Sequence, residues 1–350
     1  MSLRKLASLQ KIDRITIHSN TDSLELAYIG GWQVAVRKGE FKIGDLIIYC
    51  EIDSILPDKP EFEFLRSKHF RIKTIKLRGA LSQGIILPLS ILDNEQQILN
   101  AYLSVGKKIL GTDVTEKLGI TKYELPEKEM GKCDAKGSLP PFVIKTDEQR
   151  LQSAMSLIDE MWGLDCYITV KEDGTSFTAY YNDGIFGICS RNLELKMDDE
   201  AAKKDIERLN SYAKIAKQYD LKNKLKFVGR NIVIQGELTG SGIQGNPMGV
   251  PGHQLHLFSA YDIDNHIYLN YDNFKILAKA IGVPTVETIY LGTFNFDLPA
   301  LLEMAKGKYN GTKNNREGIV VRPTQEHFSK TLHGRLSFKV INNEYLLGRK

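Results

Sequence analysis

The chain is 350 residues long, and its 47 lysines and arginines nearly balance its 43 aspartates and glutamates, which leaves a net charge of +4. A chain of this length indicates two domains rather than one. Hydrophobic residues make up 42% and charged residues 26%, so wholesale disorder is excluded. The balanced charge also argues against binding of polyanions through bulk charge, but it does not exclude local basic patches.

The four cysteines, Cys50, Cys133, Cys166 and Cys189, are widely spaced and form no metal-binding motif. This pattern predicts neither a disulfide framework nor a structural zinc site, and it fits a reducing compartment. The N-terminus lacks an apolar stretch typical of a signal peptide, and no apolar run approaches the roughly 20 residues that span a bilayer. We therefore predict a soluble cytoplasmic protein without a membrane partner.

Residues 1–120 are predicted to form an all-β module similar to a small barrel. Short β-branched runs such as Trp32–Val36 and Leu46–Cys50 alternate with glycine-containing turns. A linker is predicted at residues 121–145, where glycine and proline interrupt any periodic pattern.

One segment of the β module, Arg66–Arg78, carries six basic residues and no acidic one. In an extended strand, Arg71 and Lys73 would share one face, and Lys76 and Arg78 the other. We predict that these four side chains line a groove that follows a nucleic-acid backbone. The alternative is a solvated edge strand whose charge prevents aggregation.

The second domain is predicted to occupy residues 146–350. It begins with a capping box at Thr146–Gln149, followed by an apolar stripe at helical spacing. Further along, Asn182–Gly184 is typical of a hairpin turn, and acidic residues from Asp198 begin a helix that extends to Tyr219. Strands and helices in this order predict an α+β domain of antiparallel sheets with helices to one side.

The most informative segment is Val170–Phe177. It places Lys171 where an apolar strand ends, just before an Asp173–Gly174 turn. Burial against a sheet, together with neighbouring cations or a metal, lowers the pKa of a lysine and increases its neutral, nucleophilic fraction. Alone, the tetrapeptide Lys171–Gly174 is a weak signal, because a lysine before an ordinary turn is common.

Five further polar segments follow in order within residues 146–345. They are Ser190–Asn192, Gln235–Thr239, Phe258–Ile263, Arg316–Val321 and Ser337–Ile341. Taken singly, each has a plain structural reading, such as a surface ion pair or a core aromatic. Together with Lys171, their order and spacing resemble the motif set of the covalent nucleotidyltransferases, the superfamily of polynucleotide ligases and mRNA capping enzymes.

Within that superfamily the chain most resembles the ATP-dependent RNA ligases of the family-5 type. The segments Gly31–Val34, Lys38–Phe41 and Glu51–Pro57 look like the front end of that family. The chain also ends soon after Lys339, without room for the C-terminal OB domain that DNA ligases and capping enzymes generally carry. The resemblance implies an N-terminal OB-like β-barrel followed by a nucleotidyltransferase, or ATP-grasp-like ligase, domain.

The resemblance also implies roles for individual residues. Lys171 would attack the α-phosphorus of ATP and form lysyl-AMP, Phe258 would stack on adenine, and Lys339 would bind the α-phosphate. Three carboxylates would position Mg²⁺ or Mn²⁺ through water: Asp173, Glu237 and Glu317. The side chains implied to bind the nucleotide are Lys171, Glu172, Arg150, Arg191, Glu237, Phe258, Glu317 and Lys339.

The implied reaction transfers AMP from the lysine to a 5′-phosphate, and a 3′-hydroxyl then expels AMP. The expected partner is RNA or an RNA-containing nicked duplex, bound by a monomer. Within the same chemistry, a DNA ligase or a guanylyltransferase is the alternative. From another class, a non-catalytic RNA-binding protein would use the barrel alone, although an intact Lys171 argues against it.

Two positions depart from the family pattern. Ile341 stands where many ligases have a second lysine, so phosphate contacts would come partly from Lys330 or Arg335. The aromatic segment has one residue more than usual between Phe258 and Tyr261, which leaves open which ring stacks on adenine.

Overall fold

The computed structural model describes residues 5–93, 95–105, 109–123, 135–197 and 210–348. The chain divides into two compact units, residues 1–127 with 346–350, and residues 128–345. Two predicted segments lie partly outside the described residues, the linker at 124–134 and the helix at 198–209. Among the helices of the described residues, none is long and apolar enough to cross a membrane.

The first unit is built from short antiparallel strands. They are β1 (Ala7–Lys11), β2 (Arg14–Ile17), β3 (Leu24–Ile29), β4 (Trp32–Arg37), β5 (Leu46–Cys50), β6 (Ser54–Ile55), β7 (Ile75–Leu77), β8 (Ala80–Ser82), β9 (Ile85–Leu87) and β10 (Thr121–Lys122). The strands pair in the orders β1-β5-β9, β2-β3-β4, β10-β6 and β7-β8. In β4 the side chains of Trp32, Val34 and Val36 are buried and those between them are half-buried, as expected of a strand with one core face.

The first unit also contains helices, so the prediction of an all-β module is wrong in this respect. A 3₁₀ helix covers Pro60–Lys68, a second covers Leu89–Ile91, and α1 covers Glu95–Val105. Proline suits a first helical turn because its backbone angle is already helical. Phe62 and Leu65, three residues apart on the 3₁₀ helix, are both buried, and this apolar pair anchors it.

The extended strand predicted for Arg66–Arg78 is also wrong. Arg66 and Lys68 belong to the last turn of the 3₁₀ helix, and His69 and Phe70 then adopt left-handed backbone angles, with φ of 50° and 56°. Only Ile75–Leu77 is a strand. The basic side chains therefore do not alternate between two faces as a continuous strand would require.

The second unit contains fourteen strands among its described residues. They are β11 (Ala135–Ser138), β12 (Gln149–Arg150), β13 (Asp165–Lys171), β14 (Thr175–Asn182), β15 (Ile185–Cys189), β16 (Leu193–Leu195), β17 (Ile232–Gly240), β18 (His253–Asp262), β19 (Ile267–Tyr268), β20 (Thr288–Thr293), β21 (Gly318–Pro323), β22 (Phe328–Ser329), β23 (Gly334–Arg335) and β24 (Phe338–Ile341). A seven-stranded sheet has the order β11-β16-β15-β14-β17-β18-β19, and a five-stranded sheet has the order β12-β24-β21-β13-β20. All pairs in both sheets are antiparallel except β12 with β24.

Helices cover both sheets. The remaining α-helices are α2 (Leu157–Met161), α3 (Ser211–Gln218), α4 (Leu221–Val228), α5 (Tyr271–Ala280), α6 (Leu298–Ala305) and α7 (Asn343–Gly348). Apolar side chains of α3, α4 and α5 form one core with the seven-stranded sheet, and those of α2 and α6 form another with the five-stranded sheet. The predicted α+β class is confirmed.

The helix predicted to begin at the capping box is largely replaced by other structure. Gln149 and Arg150 pair with β24 as β12, Leu151–Ser153 is a 3₁₀ turn, and an α-helix appears only at Leu157–Met161. The Thr146 hydroxyl bonds to the Ser176 hydroxyl at 2.9 Å instead of capping a helix. Strand pairing with a distant segment thus outweighs the local capping signal.

The hairpin predicted at Asn182–Gly184 is confirmed. Strands β14 and β15 pair up to Asn182 and Ile185, and the two residues between them have φ of 48° and 81°. Two successive positive φ angles are those of a type I′ turn, which Asp-Gly favours.

Replacing Gly318 should destabilise the second unit. A Cβ at this position would lie 2.1 Å from the carbonyl oxygen of Val340, where β21 pairs with β24. We expect Gly318→Ala to lower the free energy of unfolding by roughly 1–3 kcal/mol through overpacking, measured by thermal or urea unfolding. Gly137→Ala is the matched control, because a Cβ there meets nothing within 4 Å. Equal melting temperatures for the two variants would contradict this packing argument.

Candidate active site

Lys171 is the last residue of β13, inside the five-stranded sheet, and its side chain is half-buried. Its Nζ donates to Oε2 of Glu317 at 2.6 Å. Glu317 immediately precedes β21, the strand that pairs with β13 and places Gly318 opposite Lys171. The strand-end lysine and one of the predicted acids are therefore brought into direct contact by the sheet register.

A second carboxylate, that of Glu237, lies near this lysine and comes from the seven-stranded sheet. The turn after Lys171 approaches β17 so closely that the Gly174 N–H donates to Oε1 of Glu237 at 3.1 Å. A Cβ at position 174 would lie 2.4 Å from the carbonyl oxygen of Leu238. The glycine of the Asp-Gly turn is needed for this approach, which links the two sheets at the site.

The charges around Lys171 are strongly coupled. Burial lowers the pKa of Lys171, but the carboxylates of Glu317, Glu237 and Asp173 outweigh burial and raise it above its ordinary value. The sequence-based expectation of a lowered lysine pKa therefore does not hold for the chain without a metal. In this state the lysine is an ammonium ion held by acids.

The acids around Lys171 carry more negative charge than this one lysine can neutralise. Burial, aided by the charges of Glu317, Glu172 and Asp173, raises the pKa of Glu237 to about 8, although Lys171 acts in the opposite direction. A divalent cation would relieve this repulsion, and carboxylate oxygens suit Mg²⁺ and Mn²⁺. Among the described residues, no three acidic, histidine or cysteine side chains are grouped closely enough to hold a metal ion directly. The arrangement fits a cation bound through water.

Strand register places two further cations on the same face as Lys171. Lys339 of β24 lies opposite Arg150 of β12 on one side and opposite Val320 of β21 on the other. Val320 in turn pairs with Thr169, two residues before Lys171. Because side chains two apart on a strand share a face, Lys171, Lys339 and Arg150 all project from one side of the sheet.

The two departures from the family pattern have structural explanations. The register of β17 with β18 shifts between Gln235 and Gly236, whose partners are Ser259 and Leu257, so Phe258 is the extra residue of a β-bulge. Tyr261 is instead buried in a hydrophobic cluster, with its ring against that of Tyr268. Phe258 is the ring left partly exposed, with the Arg322 guanidinium 5.7 Å from its centroid.

The replacement of the second lysine by Ile341 is also accommodated. Ile341 is buried, pairing with Gly318. Of the proposed substitutes, Lys330 is exposed, whereas Arg335 is paired with Glu326 and lies over the Tyr268 ring.

Two residues predicted to bind the nucleotide, Arg191 and Glu172, are bonded to other side chains of the protein. The exposed Arg191 forms an ion pair with Asp147 at 2.7 Å. The buried Glu172 accepts from Nδ1 of His256 at 2.8 Å. His256 lies directly opposite Glu237 in the pairing of β17 with β18, so this dyad borders the carboxylate cluster.

Several residues that complete the site were missed by the sequence analysis. Arg322, a charge within the buried strand β21, donates to Glu148 at 2.6 Å and is 3% exposed. The Tyr345 hydroxyl donates to Asp173 at 2.8 Å, and the Tyr309 hydroxyl donates to the carbonyl of Lys171. A lone arginine in an apolar run was a signal for Arg322, but no local pattern indicates either tyrosine.

The predicted nucleic-acid contacts in the first unit need one correction. Arg71 is 8% exposed, lies 3.3 Å from the centroid of the Tyr123 ring and is 3.7 Å from Asp53. Its guanidinium is therefore part of the interior and not of an open groove. Lys73, Lys76 and Arg78 are exposed, as a contact with nucleic acid requires.

Arg66, in the same basic segment, is neutralised. It bonds to Asp58 and Glu63 at 2.6 and 2.7 Å, and both acids precede the segment in the sequence. The positive charge of this surface is thus smaller than a count over Arg66–Arg78 suggests.

A lysine at a strand end, set among carboxylates from two sheets, is the arrangement expected of a covalent nucleotidyltransferase. A family model described as RNA ligase matches residues 164–341, and one described as OB-fold domain matches residues 6–89. The chain belongs to the RNA ligase family, with an OB-fold domain in front of the ligase domain. These two predictions are confirmed.

Solved structures of Naegleria gruberi RNA ligase are similar to the chain over its whole length. A mutant with AMP and Mn is 32% identical, with a TM-score of 0.83 and 99% of each chain covered. The ligase with PPi is 32% identical, with a TM-score of 0.82 and 98% of each chain covered. A mutant with ATP and Mn is also 32% identical, with a TM-score of 0.83 and 99% of each chain covered. Among curated proteins, none matches.

The raised pKa of Glu237 makes the stability of the metal-free protein depend on pH. Its folded value of about 8 exceeds its ordinary value of 4.5, so the folded state holds the proton more tightly. The contribution of this proton to the free energy of unfolding is fully present below the ordinary pKa of 4.5 and is lost as the pH rises through about 8. We expect the melting temperature of the wild type in EDTA to fall by a few degrees relative to Glu237→Gln between pH 5 and pH 8.

The melting temperatures of both proteins are also measured with Mn²⁺ in place of EDTA. Because a cation replaces the proton, the rise in melting temperature on adding Mn²⁺ should increase with pH in the wild type and should be smaller in Glu237→Gln. Parallel pH profiles for the two proteins in EDTA would contradict the role assigned to Glu237.

Proposed function

We propose that the chain is an ATP-dependent ligase that joins 3′-hydroxyl and 5′-phosphate ends of RNA, acting at nicks in duplexes. The observation that carries this proposal is the contact of Nζ of Lys171 with Glu317 at 2.6 Å, at a strand end beside Glu237. The similar Naegleria gruberi RNA ligase has been solved with ATP, AMP, PPi and Mn, which supports ATP as the nucleotide and a divalent cation.

In the first step, Nζ of Lys171 attacks the α-phosphorus of ATP, the bond from that phosphorus to the bridging oxygen breaks, and pyrophosphate leaves. An ammonium ion has no free electron pair, so Lys171 first loses a proton. Glu317 is placed to accept it, because Oε2 already receives the hydrogen bond from Nζ. Lys339 and Arg150, which project from the same face, supply positive charge for the phosphate oxygens.

Adenine would stack on Phe258, which the bulge in β18 leaves partly exposed beside Arg322. This assignment favours Phe258 over Tyr261, whose ring is buried against Tyr268.

Two transfers complete the reaction. The 5′-phosphate of the RNA attacks the phosphorus of lysyl-AMP, which releases Lys171 and forms a 5′–5′ pyrophosphate link to AMP. The 3′-hydroxyl of the neighbouring end then attacks the RNA phosphorus, a phosphodiester forms, and AMP leaves. Each step is an in-line displacement at phosphorus that needs positioning and charge neutralisation more than further covalent chemistry.

Asp173, Glu237 and Glu317 would hold Mg²⁺ or Mn²⁺ through its water shell. When bound, the cation neutralises negative charge on the reacting phosphates. Tyr345 fixes the carboxylate of Asp173 by a hydrogen bond of 2.8 Å, and Gly174 fixes that of Glu237 by its N–H. These contacts hold the acids in place for the cation.

RNA or an RNA-containing nicked duplex would contact the exposed Lys73, Lys76 and Arg78 of the OB-fold domain. We propose that the enzyme works as a monomer in the cytoplasm. The reducing compartment is supported by Cys50, Cys166 and Cys189, which are buried free thiols.

The first test is covalent labelling of the protein by α-³²P-labelled ATP with Mg²⁺ or Mn²⁺, followed by a denaturing gel. The wild type should retain label, and Lys171→Ala should lose it, because no other amine replaces the nucleophile. Lys306→Ala is the matched control, since Lys306 is an exposed lysine of the same unit that forms its ion pair with Glu303, away from Lys171. A wild type that stays unlabelled would refute the proposal.

The same assay separates the alternatives. Label from GTP in place of ATP would indicate a guanylyltransferase. Nicked duplexes with RNA or DNA on the 3′-hydroxyl side then compare strand preference, and faster sealing of all-DNA nicks would overturn the assignment of RNA as substrate.

Neutralising the exposed basic residues should weaken RNA binding without affecting the chemistry at Lys171. We expect the combined change Lys73→Ala, Lys76→Ala, Arg78→Ala to reduce nick sealing about tenfold or more at moderate salt, because up to three phosphate contacts are lost. Lysyl-AMP formation should stay within about twofold of wild type, since it involves no RNA. Arg66→Ala is the control, because Arg66 is already neutralised by Asp58 and Glu63. Equal losses in both assays would exclude a role in RNA binding.

A further inference from the structure

Tyr309 lies between α6 and β21 and is 5% exposed. Its hydroxyl donates to the backbone carbonyl of Lys171 at 2.9 Å and accepts from the backbone N–H of Glu317 at 3.0 Å. One phenol therefore connects the main chain of the nucleophile with the main chain of the carboxylate that contacts its Nζ.

This bridge stands just beyond the end of a strand ladder. The pairing of β13 with β21 extends from Cys166–Pro323 to Lys171–Gly318, and Glu317 follows outside it. The Glu317 carbonyl is held separately, since it accepts from the N–H of Asn342 at 2.9 Å. With Tyr309 on its N–H, both backbone polar groups of Glu317 are fixed.

The tyrosine is itself held in a closed turn. Its N–H donates to the carbonyl of Asn314 at 3.1 Å, and its carbonyl accepts from the N–H of Thr312 at 3.1 Å. Asn314 also donates through Nδ2 to the carbonyl of Pro247 at 2.7 Å, which ties the turn to the glycine-rich segment after β17. The phenol is thus fixed at both ends, by its own backbone and by its hydroxyl.

The separation of Nζ from the Glu317 carboxylate depends on where these two backbones lie. A reacting group misplaced by about 1 Å can lose roughly 100-fold in rate. The groups assigned to nucleotide binding, Phe258, Arg150 and Lys339, belong to strands other than β13 and β21, namely β18, β12 and β24.

We propose that Tyr309 is a positioning residue for the transfer of AMP to Lys171, acting through the backbones of Lys171 and Glu317. This inference rests on the proposed function, since it assigns Tyr309 to the step in which Lys171 attacks ATP. Tyr309 lowers the barrier to that step and leaves ATP affinity nearly unchanged.

The test uses Tyr309→Phe, which keeps the packed ring and removes only the hydroxyl. In single-turnover labelling with α-³²P-labelled ATP at varied concentration, we expect the maximal rate of lysyl-AMP formation to fall about 10- to 100-fold, with half-saturation by ATP within about twofold of wild type. Tyr290→Phe is the matched control, because its hydroxyl donates to the Thr293 carbonyl in the same sheet and away from Lys171. It should label at the wild-type rate.

A second measurement does not depend on catalysis. Hydrogen exchange at the Glu317 amide should become roughly tenfold faster in Tyr309→Phe, because this amide loses its bond to the phenol, while exchange at the Asn342 amide stays unchanged. Faster exchange at both amides would indicate general loosening and would overturn the proposal, as would a wild-type labelling rate. An equal change in half-saturation and in rate would also overturn it.

If the wild type itself forms no lysyl-AMP, the proposed function fails. The exchange measurement then still decides whether Tyr309 fixes the Glu317 backbone. Unchanged exchange at Glu317 would refute that contact whatever the activity of the protein.

Discussion

The hydrogen-bonded ion pair between Lys171 and Glu317 is the interaction on which the site depends. Burying an ammonium ion is unfavourable unless acids compensate, and burying several carboxylates is unfavourable unless cations compensate. The carboxylates outweigh burial and raise the pKa of Lys171, whereas burial and the neighbouring acids raise the pKa of Glu237 to about 8. The charge balance is therefore incomplete in the chain alone, and a divalent cation bound through water would complete it.

The site also constrains the fold, because Lys171 and Glu317 lie on the five-stranded sheet, whereas Glu237 lies on the seven-stranded sheet. Two close backbone approaches occur at this site, at Gly174 against Leu238 between the sheets and at Gly318 against Val340 within the five-stranded sheet. Neither position has room for a Cβ. A side chain at either position would force the facing backbone away, so both glycines are needed for these close approaches.

Local sequence patterns predicted the parts of the structure that depend on neighbouring residues. Strand β13, the type I′ hairpin and the order of the site segments are of this kind. The errors arise where a distant partner decides the outcome. Thr146 bonds to Ser176 instead of capping a helix, and Arg71 is taken into the interior by Tyr123, more than 50 residues further along the chain. Tyr309 is separated from Lys171 by 138 residues, so no periodicity could have indicated it.

The small net charge of +4 hides an uneven distribution of charge between the site and the surface. Acidic residues concentrate around Lys171, where Glu317, Glu237 and Asp173 raise the pKa of the lysine. In the segment Arg66–Arg78, Arg66 is neutralised and Arg71 is buried, whereas the basic residues Lys68, Lys73, Lys76 and Arg78 are exposed. Under the proposed function, so few exposed basic residues would bind the RNA backbone weakly, and salt would weaken that binding further. An enzyme that must release a sealed strand would benefit from this limit, because tight backbone binding would make product release slow.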